Sequence, residues 1–126
     1  MIVGIGSDIA RVARFEAAMA RHGARFAARI LGPEEQRRLA GHSQPAAFLA
    51  KRFAAKEAFV KALGLGLTQG MQWREIEILN DTRGKPYLQL HGAAAACATA
   101  AGVGSSHVSL SDEAEYAVAF VVLERL

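Results

Sequence analysis

Residues 46–63, "AAFLAKRFAAKEAFVKAL", constrain this chain more than any other stretch. They are rich in Ala, Leu, Lys and Glu and contain no Pro or Gly, and Gly64 and Gly66 follow as stop signals. That pattern predicts one long helix from about Ala46 to Leu63. Wound at 100° per residue, Leu49, Phe53, Phe59, Val60 and Leu63 form an apolar stripe. Lys56 falls inside that stripe, and Glu57 lies along its edge. A lysine and a glutamate where a core should be need a physical reason.

The flanking segments alternate between strand and helix patterns. Residues 1–10 read as a strand, with Ile2, Gly4, Gly6, Asp8 and Ala10 on one face and Met1, Val3, Ile5, Ser7 and Ile9 on the other. Residues 11–22 read as a helix that Gly23 ends or bends, and 34–40 as a short helix with Pro33 at its first turn. "REIEILN" (74–80) and "YLQLH" (87–91) form a hairpin about the turn "DTRGKP". "AAAACATAA" (93–101) is a compact helix. "HVSLS" (107–111) and "YAVAFVVL" (116–123) form a second hairpin. Helices and antiparallel hairpins in this order predict an α+β fold, with sheet hairpins packed on the long helix, in a single domain spanning 1–126.

The 126 residues suffice for one core, and 52% apolar with 21% charged residues is a globular composition. No run is long enough to span a bilayer. The apolar start "MIVGIGSDI" lacks the basic region of a signal peptide, so a cytoplasmic protein is the expectation. Cys97 is the sole cysteine, which excludes an intrachain disulfide. A formal charge of +3 favours an acidic partner without itself indicating nucleic acid.

Several residues are candidates for chemistry. Asp8 ends a strand face otherwise bare at Gly4 and Gly6, where a backbone or ligand can approach closely. It could hold a hard cation such as Mg²⁺, but spacing alone favours an N-cap for the helix that follows. Glu57 and Lys61 lie one turn apart on one face: either an exposed ion pair or a covered carboxylate that requires a cation. His107, Ser109 and Ser111 share a strand face, as a wet sheet surface or a phosphate contact. Arg11, Arg14, Arg21, Arg25 and Arg29 form one stripe if the helix continues through Gly23; interleaved with Phe15, Met19 and Phe26, they suit docking on an acidic protein surface. The glycines of "GIGSDI" and "NDTRGKP" match neither dinucleotide nor P-loop patterns.

Together, "GIGSDIARVARFE" (4–16), "RFAAKEAFVKALG" (52–64), "NDTRGKP" (80–86) and "HVSLSDE" (107–113) resemble the motifs of the holo-acyl-carrier-protein synthases, the short bacterial 4′-phosphopantetheinyl transferases. The likeness runs from end to end of the chain. It implies Mg²⁺-dependent transfer of 4′-phosphopantetheine from coenzyme A to a serine of apo acyl carrier protein, releasing adenosine 3′,5′-bisphosphate, for fatty acid biosynthesis. It also implies a homotrimer with active sites between subunits. On this resemblance Asp8 and Glu57 are the metal carboxylates. Glu57 is also the candidate base, Lys61 meets the departing phosphate, and Lys56 supports Glu57 or a phosphate. Gly64, Gly84, Lys85, Pro86, His107 and Ser109 lie along coenzyme A. Arg14, Arg21 and Arg25 meet the carrier protein. The family often has a threonine where this chain has Leu65, which removes a hydroxyl but leaves the backbone amides.

Two other readings compete. A nucleic-acid-binding module would use the arginines and dispense with Asp8 and Glu57. A phosphohydrolase would consume coenzyme A without a carrier protein. The strand 116–123 is apolar on both faces, so the helices cover one and a neighbouring subunit is expected on the other.

Overall fold

The computed structural model describes all residues from Met1 to Leu126. In chain order the elements are β1 (Ile2–Arg11), α1 (Val12–His22), α2 (Ala24–Ile30), α3 (Pro33–Leu39), α4 (Pro45–Leu63), a 3₁₀ turn (Trp73–Glu75), β2 (Ile76–Asn80), β3 (Pro86–Leu90), α5 (Gly92–Ala100), β4 (Ser105–Asp112) and β5 (Tyr116–Glu124). One antiparallel sheet runs in the order β1–β5–β4, and β2 and β3 form a separate hairpin. The α+β expectation holds.

The long helix is central. α4 lies across β1 and β5 and buries Leu49, Ala54, Ala55, Ala58, Phe59 and Val60 almost completely. Each large side chain so buried contributes about 1.5–3 kcal/mol. The fit against β1 depends on absent side chains. A Cβ on Gly4 would lie 1.9 Å from the Ala62 carbonyl oxygen, and one on Gly6 would lie 1.9 Å from that of Ala58. The bare strand face therefore receives a helix backbone, not a ligand.

Cross-strand register sorts the sheet into two faces. Ala117, Ala119, Val121 and Leu123 of β5 face α4 and are buried. On the other side Ile5 and His107 flank Val122, Ser7 and Ser109 flank Phe120, and Ile9 and Ser111 flank Val118. Ile5, Ile9 and Phe120 are 71%, 62% and 56% exposed. Within one chain this apolar outer face has no cover.

The arginine stripe does not continue as one helix. Gly23 adopts φ 60° and ψ −143°, which ends α1 and starts α2. Segment 74–80 also divides, since residues 73–75 form a 3₁₀ turn before β2 begins.

Gly6→Ala is expected to lower the unfolding free energy by at least about 2 kcal/mol, because two backbones must separate. Urea denaturation checks this; an unchanged midpoint would mean that the helix seat is not set by this contact.

Candidate active site

β1 delivers Asp8 to the rim of the α4 seat, on the same strand face as Gly4 and Gly6. The N-cap alternative fails. Residue 11 caps α1 without a side-chain bond, while Lys61 Nζ donates to Asp8 Oδ1 at 3.0 Å and to the Ser7 carbonyl at 3.1 Å. The Asp8 side chain is only 19% exposed. One turn back from Lys61, Glu57 is half-buried beside it. Burial and the negative charge of Asp8 raise the Glu57 pKa above the ordinary glutamate range, against the pull of Lys61 and Arg14. Two carboxylates from different elements thus share one place, with Lys61 and Arg14 as the cations that act on it.

That arrangement suits a hard cation. No third His, Cys, Asp or Glu joins the two carboxylates, so the protein supplies no closed cage. A Mg²⁺ ion takes one or two carboxylates and completes its shell with water and phosphate oxygens, which fits this pair.

Lys56 corrects one expectation. Its ammonium is fully buried and turned away from Glu57, donating to Glu35 Oε1 at 2.6 Å, the Trp73 carbonyl at 3.1 Å and the Ile76 carbonyl at 2.5 Å. Burial pulls its pKa down, and the charge of Glu35 and the hydrogen bond that Lys56 donates to it oppose that. It reaches neither Glu57 nor an external phosphate. Gly64 takes the left-handed conformation at φ 76° and ends α4. Its amide donates to the Lys61 and Val60 carbonyls, and those of Leu65 and Gly66 to Val60. The amides expected to remain for a phosphate already serve as the helix cap.

A second concavity, of about 280 Å³, gathers Gly84, Pro86 and Ser109 with Lys51, Arg52 and Asn80. Asp81 builds its turn by accepting from the Arg83 and Lys85 amides, each at 2.9 Å. Gly84 supplies the positive φ of 88°. Asn80 donates to the Gly84 carbonyl at 3.0 Å and accepts from Arg52 Nη2 at 2.7 Å. Sequence reasoning missed Arg52. Its guanidinium lies 4.1 Å from the Phe48 ring centroid, and its Nε has no partner. Phe48, one turn earlier on α4, was the available signal, since such a pair stacks on a helix. Lys85 is exposed outside this concavity. His107 is exposed too, and pairs with Glu124 at 2.6 Å.

Asp8 faces α4 from one edge strand. Ser109 and His107 face outward from the other. One chain therefore does not bring these two groups onto a common surface.

Arg21, Arg25 and Arg29 converge with His22 and Phe26 around a recess at the Gly23 break. An open groove of about 750 Å³ continues from it between α2 and residues 67–74, with Phe53 and Trp73 as its aromatic wall. Arg14 stands apart, 5.7 Å from the Phe53 ring and close enough for its charge to act on Glu57.

Residues 4–121 match the model of the 4′-phosphopantetheinyl transferase superfamily. The chain is 56% identical to a holo-acyl-carrier-protein synthase of Halorhodospira halophila over 123 residues, covering 98% of both chains. The crystal structure of the corresponding synthase from Neisseria meningitidis superposes with a TM-score of 0.93 at 41% identity, over 99% of this chain and 100% of that one. A Bacillus anthracis holo-acyl-carrier-protein synthase, solved in complex with coenzyme A (3′,5′-ADP), superposes with a TM-score of 0.83 at 39% identity, over 100% of this chain and 99% of that one.

The raised Glu57 pKa has a consequence for stability. A carboxylate whose folded pKa exceeds its unfolded value stabilises the fold at low pH, and that contribution is lost as pH rises through the folded value. In metal-free buffer at pH 7, Glu57→Gln is therefore expected to melt above wild type. The gap should close as pH falls below the ordinary glutamate value of 4.5. A variant that melts lower than wild type at pH 7 would show that Glu57 is stabilised as an anion.

Proposed function

The chain belongs to the 4′-phosphopantetheinyl transferase superfamily and is an enzyme of its holo-acyl-carrier-protein synthase kind; on that footing we propose that it uses Asp8 and Glu57, with Mg²⁺, to move 4′-phosphopantetheine from coenzyme A to a serine of apo acyl carrier protein. The observation that carries this reading is the half-buried Asp8–Glu57 carboxylate pair with Lys61 beside it. The serine oxygen bonds to the phosphorus that carries pantetheine, and the phosphoanhydride bond to adenosine 3′,5′-bisphosphate breaks. When bound, Mg²⁺ held by Asp8 and Glu57 supplies charge neutralisation on the pyrophosphate.

The protein's own groups account for the proton and the leaving group. Glu57 takes the serine proton as the general base. Lys61, exposed on the same face, meets the negative charge that develops on the departing phosphate. Gly84, Pro86, Ser109 and Arg52 receive the adenosine end. Arg21 and Arg25 meet carboxylates of the carrier protein, and Arg14 guards the entry beside Glu57. The product serves fatty acid biosynthesis in the cytoplasm.

Because the Asp8 pair and the His107–Ser109 face lie on opposite edges and faces of the sheet, the complete site forms between copies of the chain. The uncovered row of Ile5, Ile9 and Phe120 is the surface that packs in a homotrimer.

Intact-mass measurement of apo acyl carrier protein, incubated with enzyme, coenzyme A and Mg²⁺, tests the transfer. One added phosphopantetheine is expected, absent with EDTA and with Asp8→Ala or Glu57→Ala. Lys61→Ala should lower kcat by roughly 10²-fold. Coenzyme A breakdown without gain on the carrier would point instead to hydrolysis. In sedimentation, wild type should run as a trimer, and Phe120→Asp as a smaller species with little activity. A monomeric wild type with full activity would remove the shared site.

A further inference from the structure

Lys56 and Glu57 are consecutive in sequence yet face different environments, and the buried member has every donor satisfied. All three ammonium N–H groups of Lys56 have acceptors, on two separate pieces of chain: Glu35 of α3, and the Trp73 and Ile76 carbonyls at the entry to β2. Glu35 is itself saturated, accepting from the Gly32 amide at 3.0 Å and the Ile78 amide at 2.9 Å. Glu77 completes the assembly. Its Oε2 accepts from the Glu34 and Glu35 amides at 2.9 and 3.2 Å, and its Oε1 meets His91 Nε2 at 2.9 Å. A buried network with every member satisfied has essentially one arrangement.

We propose that Lys56 is a positioning residue for the transfer, fixing the roll of α4 about its axis so that Glu57 and Lys61 stay turned toward Asp8. This rests on the reading that Glu57 and Lys61 act on the substrate. On the opposite side of α4, Ala58 and Ala62 meet Gly4 and Gly6, backbone against backbone, so that contact sets how close α4 lies to β1 without engaging a side-chain ridge. Around the helix, the buried Leu49, Phe59 and Val60 restrain its roll by packing, and Lys56 adds three directional bonds to that restraint. A side chain reaching about 5–6 Å from the helix axis moves about 2 Å in a roll of about 20°, which strains all three Lys56 bonds. The same roll displaces the Glu57 carboxylate by about 2 Å relative to Asp8.

The test is steady-state kinetics of Lys56→Met beside a core truncation away from the network, Leu123→Ala, in the full-length enzyme at a temperature where circular dichroism shows each variant folded. Leu123 is fully buried on β5 and belongs to neither the network nor the site. Both variants should melt below wild type. Lys56→Met should lose at least tenfold in kcat, with KM for coenzyme A and for the carrier protein within about twofold of wild type, whereas Leu123→Ala should keep kcat within twofold. A folded Lys56→Met with wild-type kcat, or with a loss no larger than that of Leu123→Ala, overturns the proposal. If Lys56→Met does not fold, Glu35→Gln decides: it keeps the lysine and one acceptor, and a threefold or greater fall in kcat at unchanged KM is expected, while wild-type kcat overturns the proposal. The underlying reading fails separately, through Glu57→Gln transferring phosphopantetheine at the wild-type rate.

Discussion

The close approach of α4 to β1 is the constraint from which the site follows. Two glycines on one strand face admit the carbonyl oxygens of Ala58 and Ala62 where side chains would otherwise stand. A helix so near a strand places the next residue on that face, Asp8, within hydrogen-bonding reach of Lys61. It also brings the charge of Asp8 to bear on Glu57. Any side chain at Gly4 or Gly6 would separate the elements and divide the site. The fold and the chemistry share one contact.

Electrostatics then separates two neighbours on α4. Lys56 is stable in the core because Glu35 and two carbonyls take the place of water. Glu57 stands half-buried at the rim, and burial together with the charge of Asp8 raises its proton affinity. A buried charge with full partners organises structure; a half-buried charge without them is available to a ligand. The adjacent letters K and E therefore have opposite tasks.

Much of this was legible in the sequence. The helix 46–63, both hairpins and the glycine face of β1 follow from propensity and period, because local geometry determines them. The placement of Asp8 was not: spacing alone favours a cap, the metal role came only from the resemblance, and the contact with Lys61 forms only where α4 crosses β1. Lys56 was misread for a related reason: its partner Glu35 is distant in sequence and on a helix of its own. Arg52 was missed because Asn80, its hydrogen-bond partner, reaches it only when the β2–β3 turn folds against α4, although Phe48 lies one turn before it on the same helix. The break at Gly23 depended on a backbone conformation that glycine permits but does not require.

The outer sheet face, the Arg52 concavity and the carboxylate pair lie apart within one chain. The central claim is that Asp8 and Glu57 hold a cation jointly with the pyrophosphate of coenzyme A. The most direct measurement is titration calorimetry of coenzyme A binding, with and without Mg²⁺, to wild type and to Asp8→Asn. Mg²⁺ should strengthen binding at least tenfold in wild type and leave Asp8→Asn unchanged. Equal strengthening in both proteins would contradict the account and place the cation elsewhere.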